Sequence, residues 1–458
     1  MGTEEKNLGE IRGWTRIIRF TIPSIVMMVL ISTYSVVDGA FISNFISTEA
    51  LAAINIMMPF WSVMTGFGFM LSTGGSAFVS NLFGKGRYED GRAAFTLIVL
   101  MGTAVCLALV VIAFLFAEPL LRSMGADDSL IGYSQDYLYA FLPFATFFVI
   151  QFLAIQFLVV AGRPGLSLVL SVLGGITNIS MDYVFIVLLD MGVVGAAVAS
   201  GLSAIIPSAT GIFFFLSKRS SVYFVRPCRK LSVFARTCTN GVSEMVSELS
   251  NGITMLCYNL VMMDHIGADG VSAVAILSYV QFLALSVIIG YSNGIAPVMS
   301  FNHGAKDEKG MRNTLKFSVL FVTAVSVTVF LFMEFFSREV AGLFASASDA
   351  VMDITADGAV IFAYGFLFMG MNLYLSSLFT SLSNGVVSAV ISALRSFVLL
   401  APLILIIPAV FGIDYVWVAV PVAEFISFAV AMFLLFRYNG QYGYMRRLGE
   451  KPSSDGIS

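Results

Sequence analysis

The chain has 458 residues, 58% of them apolar and only 12% charged, roughly half the charged share of an ordinary soluble domain. That balance excludes a soluble globular fold and requires a polytopic membrane protein, with room for about twelve spans of about 20 residues each. The net charge of -3 singles out no partner by itself, and no nucleic-acid partner is expected.

The amino terminus carries Glu4, Glu5 and Glu10 beside Lys6, Arg12, Arg16 and Arg19. No cleavage-site pattern accompanies the first long apolar run, so this run is read as a true first span. Apolar runs lie at 17–45, 51–82, 93–117, 131–161, 166–190 and 193–216. A polar, basic stretch from Ser217 to Arg236 interrupts them, and six more follow at 238–264, 270–302, 315–336, 354–382, 386–410 and 413–437. The expected organisation is all-α, with twelve transmembrane helices in two pseudo-symmetric six-helix bundles. An amino-terminal lobe covers 1–216, a linker 217–236, a carboxy-terminal lobe 237–437 and a tail 438–458.

Basic residues set the orientation. Of the 25 lysines and arginines, 22 fall on the side of the termini and linker, Arg122 and Arg338 on the other side, and Arg395 inside a span. Positive charge is retained on the cytoplasmic side, so both termini and the linker are expected there, with the protein multi-pass in the cell membrane. Cys106, Cys228, Cys238 and Cys257 lack metal-ligand spacing and are read as packing residues.

The two halves also share residues at a shift of 220. Ala53 falls on Ala273, Ser72 on Ser292, Gly74 on Gly294, Ser80 on Ser300, Gly84 on Gly304 and Arg92 on Arg312. Six spans per half make both copies enter the membrane in the same sense, as parallel repeats about an axis along its normal. Substrate sites in such folds lie between or within the halves, near the midplane.

Candidate functional residues follow in chain order. In the first span Asp38 lies one turn after Tyr34, and Pro23 can bend the helix before them. Met27 and Met64, with Met369 in the tenth span, suit a pocket that repacks around apolar ligands, although such residues are more often core or lipid-facing. In the fifth span Asn178 and Asp182 stand at i and i+4, so both project from one helix face. An ionisable group at that depth is costly and often marks a substrate or ion path; the alternative is a carboxylate satisfied by neighbouring donors that locks helices together. Gly174, Gly175, Gly195 and Gly201 fit close helix approach. Glu244 and Glu248 repeat the i, i+4 spacing in the seventh span, though Glu244 is close enough to Arg236 to be solvated at the helix end. Arg395 must find an anion, with Glu248 and Glu424 as candidates. His265 and His303 lie at helix ends without a catalytic motif, which argues against a membrane-embedded enzyme, and no carbonyl-filter or carboxylate-ring pattern suggests a channel.

Three stretches resemble one family. NISMDYVFI (178–186) followed by GVVGAAVA (192–199) looks like the fifth-to-sixth-span signature of multidrug and toxic compound extrusion (MATE) transporters. YSNGIAPVMSFNHGA (291–305) looks like the end of their eighth span, with Ala296 where glutamine is common, and GIDYVWVAVPVAE (412–424) resembles their last. The resemblance covers nearly the whole chain. It implies an export antiporter of two six-helix lobes, driven by protons or sodium ions and working by alternating access. The acidic interior favours amphipathic, mostly cationic organic compounds as cargo; no cofactor beyond the coupling ion is expected, and a monomer among membrane lipids is the expected state. The resemblance also implies that Asp38, Asn178 and Asp182 take the coupling cation, with Ser200 where a threonine is usual. The seventh span departs from the pattern, with Ser243 in place of the common proline. A flippase of lipid-linked precursors is the alternative within transport.

Overall fold

The computed structural model describes residues 8–45, 53–344 and 349–444, with side chains for 8–34, 53–342 and 349–444. After a short 3-10 turn, Leu8–Glu10, the first half comprises α1 (Trp14–Phe45), α2 (Met58–Gly84), α3 (Tyr88–Leu115), the short α4 (Ala117–Ser123), α5 (Ile131–Val160), α6 (Pro164–Asp182) and α7 (Gly192–Leu216). The second comprises α8 (Leu231–His265), α9 (Ala268–Gly304), α10 (Glu308–Phe344), α11 (Asp349–Ser381), α12 (Gly385–Ala393), α13 (Leu400–Phe411) and α14 (Ala419–Tyr442). With α4 continuing α3 and α12 and α13 forming one interrupted span, the described residues fold into twelve spans in two six-helix bundles.

Ten of these spans are long and apolar enough to cross a membrane on composition. The other two, α2 and α8, reach about 40 and about 52 Å at 1.5 Å per residue, so length is not what separates them. Composition separates them: α2 is rich in glycine and serine and α8 carries charged and amide side chains, and the two pack on each other between the bundles. Apolar stripes face outward at helical spacing, as in Val169, Leu173 and Ile176 of α6 and in Leu256, Leu260 and Met263 toward the end of α8. Such stripes are stable against hydrocarbon.

Glycine contacts display the two-fold relation between the halves. A Cβ on Gly84 would stand 2.0 Å from the carbonyl oxygen of Phe301, and one on Gly304 would stand 2.1 Å from that of Asn81. Adding 220 to 84 and 81 gives 304 and 301, so the two contacts exchange under the repeat, as an isologous interface requires. Likewise α2 packs on α8 while α9 packs on α1, and α2 crosses α9. These crossings lie toward the face that holds both chain ends and the linker, called here the basic face. There α2 and α9 are buried almost continuously over 66–83 and 285–304, whereas their opposite ends expose Met58, Tyr279, Phe282 and Leu283. The bundles are clasped at the basic face and diverge away from it.

Most boundaries fall within about five residues of those read from the sequence; the larger differences are at the start of α2, at the start of α8 and at both ends of α10, which spans Glu308–Phe344 against an expected 315–336. Helix α8 begins at Leu231, inside the stretch read as linker, because Val233 and Phe234 pack against the core of the first bundle. Helix α14 runs to Tyr442, past the expected start of the tail, and Tyr442 and Tyr444 stack beneath it.

Candidate functional site

In the first bundle the buried face of α6 is Ser167, Ser171, Gly174, Gly175, Asn178 and Asp182, a stripe repeating every three or four residues. Asn178 is 5% and Asp182 2% exposed. The absence of a side chain at Gly175 lets the ring of Tyr34 lie against α6, where a Cβ would meet Tyr34 Cδ1 at 3.0 Å. Helices α1 and α6 run in the same direction, so the turn of α1 after Tyr34, which carries Asp38, stands level with Asn178 and Asp182. The side chain of Asp38 lies outside the described residues. Helix α7 runs the other way. A Cβ on Gly174 would meet Pro207 Cγ and the Ser203 carbonyl at 3.3 Å, and one on Gly195 would meet Phe185 Cβ at 3.0 Å. Half-buried Ser200 lies between these two contacts and therefore at the depth of the Asn178–Asp182 turn. Helix α6 ends at Asp182 and gives way to a π-helical turn, Tyr183–Leu188, closed by Leu189 N–H donating to the Val184 carbonyl at 3.0 Å. Such a turn re-aims the residues beside it and is frequent at functional sites.

The second bundle holds a different centre. Arg395 Nη2 lies 2.8 Å from Glu424 Oε1, and Arg395 Nε donates to the same oxygen at 3.1 Å. Asn372 Nδ2 donates to Glu424 Oε2 at 2.7 Å and to the Glu424 carbonyl at 2.9 Å. Asn372 is fully buried and Glu424 2% exposed. Of the two anions considered for Arg395, the structure selects Glu424. Arg395 lies within a second π-turn, Leu394–Val398, whose Ser396 carbonyl accepts a hydrogen bond from Thr254 Oγ1 of α8 at 2.8 Å. Glu244 lies within electrostatic range of Arg395, and Glu248 within range of Glu244. Glu248 faces the first bundle, since a Cβ on Gly66 would stand 3.3 Å from its Cβ. The structure thus brings Glu244, Arg395 and Glu424 into one region of the second bundle, apart from the cluster on α6.

Met27, Met64 and Met369, for which both a pocket lining and a core or lipid-facing place were considered, are all buried, and Met27 Sδ accepts a hydrogen bond from Ser167 Oγ at 3.6 Å. They fill the gaps that flexible, polarizable side chains fill best. The sequence reading missed Asn372, Thr254 and a buried hydroxyl ladder. In that ladder Thr380 Oγ1 donates to Ser388 Oγ at 2.8 Å, and Ser376 Oγ lies 2.8 and 2.9 Å from the hydroxyls of Ser388 and Ser392. The i, i+4 repeats Ser376/Thr380 and Ser388/Ser392/Ser396 within apolar spans were the available signal.

A family profile described as MatE matches residues 23–184 and 248–406, the first five spans of each half. The chain is 24% identical over 433 residues to the multidrug export protein MepA of Staphylococcus saprophyticus, covering 91% of this chain and 92% of that protein. With MepA of Staphylococcus haemolyticus it shares 25% over 434 residues, at the same coverage. Among solved structures, a MATE protein in complex with MaL6 superposes with a TM-score of 0.89 at 20% identity, over 96% of this chain and 98% of that one. A multidrug resistance MATE family transporter of the MOP superfamily in its outward-facing conformation gives 0.87 at 22%, with the same coverage.

Proposed function

We propose, from the premise that the chain belongs to the MatE family and is a multidrug efflux transporter rather than an enzyme, that it is a proton- or sodium-coupled antiporter working by alternating access. The reading is supported chiefly by one observation: Asn178 and Asp182 form a buried polar turn on α6, level with the Asp38 turn of α1 and with Ser200. A carboxylate held that deep depends, when charged, on the groups around it. Binding a proton or a sodium ion changes what it asks of them, and with it the interactions among α1, α6 and α7. Because a ligand shifts an equilibrium only by its differential affinity for the two forms, the coupling ion must be held more tightly in one shape of the first bundle than in the other. Cargo release and ion loading then exclude each other.

The cargo is a small organic compound with positive charge and apolar surface. Glu424 is matched by Arg395, so Glu244 and Glu248 are the carboxylates whose charge a cationic cargo meets. The same pairing weakens the lipid-linked precursor alternative, which needs a basic cavity, because the charge of Arg395 is already compensated. The basic face is cytoplasmic under the positive-inside rule, so the bundles diverge toward the outside. Reconstituted vesicles given a proton gradient or a sodium gradient separately, with a fluorescent organic cation inside, test the reading. Efflux driven by one gradient is expected; turnover indifferent to both would refute coupling.

A further inference from the structure

The leader before α1 seats its apolar side chains on the opposite bundle. Leu8 and Ile11 are each 4% exposed and belong to the hydrophobic core of the second bundle. The 3-10 turn that carries Leu8 lies on α9. Trp14 continues the crossing, its ring 5.5 Å from that of Phe317 on α10, and Ile17 and Phe20 are buried in the same core. At the surface Arg12 Nη2 lies 2.8 Å from Asp307 Oδ2, an ion pair that joins the two halves. Asp307 is held in place independently, because its Oδ1 accepts Gly310 N–H at 2.9 Å at the start of α10.

The equivalent segment of the second half is likewise seated on the opposite bundle. The linker before α8 is fastened to the bundle it leaves: Arg92 Nε donates to the Ser221 carbonyl at 2.9 Å, its guanidinium lies 4.2 Å from the centre of the Tyr223 ring, and Thr96 Oγ1 accepts Val225 N–H at 3.1 Å. Leader and linker thus keep the two-fold symmetry of the spans, each being fastened to the bundle it does not introduce. They differ in connection: the linker is also joined to the first bundle covalently through α7, whereas the leader is seated on the second bundle by noncovalent contacts and is joined covalently only to α1. The leader therefore has to lift off the second bundle when α1 moves away from it at this face.

We propose that residues 8–12 are a latch on the basic face. Leu8 and Ile11 seat in the second bundle and the Arg12–Asp307 pair closes over them, holding that face shut until the leader lifts off. A cavity of about 200 Å³ bounded by Ile11, Arg12, Lys309 and Thr314 lies beside the pair and gives the guanidinium room to swing away. An exposed ion pair alone contributes little, so the two apolar side chains carry most of the latch and Arg12 trims it. The proposal rests on the alternating-access reading. It is tested without ion gradient or cargo, so its failure leaves the coupling role of Asp182 standing, and failure of coupling leaves the latch standing.

The test is a distance distribution between spin labels at Lys85→Cys and Lys306→Cys, which flank the Gly84 and Gly304 crossing from opposite bundles, in the full chain with its four native cysteines replaced by serine and reconstituted in lipid nanodiscs. The parent gives a short distance. Leu8→Asp/Ile11→Asp, and a chain lacking residues 2–12, add a longer one and raise the open-to-closed ratio about tenfold or more, as expected from losing two buried apolar side chains. Arg12→Glu, at an exposed position that folding tolerates, gives a smaller shift through repulsion from Asp307. Arg12→Glu/Asp307→Asn reverses that shift, because asparagine keeps the helix-capping role without the charge. Parent-like distances in the two apolar variants, or an Arg12→Glu shift that Asp307→Asn does not reverse, would overturn the latch.

Discussion

At the scale of single residues, the Arg395, Glu424 and Asn372 contacts make the sharpest energetic prediction. Removing one member of a buried ion pair strands the other charge at a cost of about 3–5 kcal/mol, whereas replacing both by apolar groups of similar volume is often neutral. Arg395→Met is therefore expected to lower the unfolding midpoint of the purified protein strongly, and Arg395→Met/Glu424→Met to recover most of the loss. An equally large loss in the double variant would show that the pair does more than cancel itself. Asn372→Leu, which strips a donor from a buried carboxylate, is expected to cost about 1–3 kcal/mol in the same assay. Part of this centre was legible beforehand. Arg395 stood out as the one cation inside a span, but its partner was not fixed, because Glu248 and Glu424 both lay in reach and only tertiary packing brings α14 against the π-turn. Asn372 gave no signal, since a lone amide in an apolar span looks the same whether it faces a carboxylate or a neighbouring backbone.

At the scale of the elements, the π-turn of the second bundle follows from local sequence that periodicity does not resolve. Pro402 has no N–H to offer the Val398 carbonyl, which leaves the backbone free to rewind at Leu394–Val398. Thr254 of α8 then satisfies the Ser396 carbonyl. Thr254→Val is expected to cost about 1 kcal/mol in thermal unfolding, with an unchanged midpoint arguing that water replaces the hydroxyl. The glycine crossing of α2 and α9 allows a symmetric test. With carbonyl oxygens 2.0 and 2.1 Å from the positions their Cβ atoms would take, Gly84→Val and Gly304→Val must each push the helices apart. Overpacking of this kind costs about 1–3 kcal/mol. The two variants are expected to lose similar stability and to raise labelling of basic-face cysteines similarly; a large difference between them would contradict the two-fold exchange of contacts.

At the scale of the whole molecule, span number and the duplication were readable because hydrophobic runs and the 220-residue shift are properties of the chain itself. The bounds of α8 were not, because its first turns are polar enough to pass for linker yet carry Val233 and Phe234 into the first bundle. The clasp at the basic face and the crossed leader were also illegible, being relations between bundles. The Asn178–Asp182 turn was found at once, since a carboxylate in a span is costly wherever it points, and its burial against α1 follows from Gly175 making room for Tyr34. The central claim is that the charge state of this turn decides which face is open. It is tested most directly by Asp182→Asn in reconstituted vesicles, measuring gradient-driven efflux of a fluorescent organic cation alongside equilibrium binding of the same compound. The account predicts that binding survives while gradient-driven efflux is lost; efflux equal to that of the parent would contradict it.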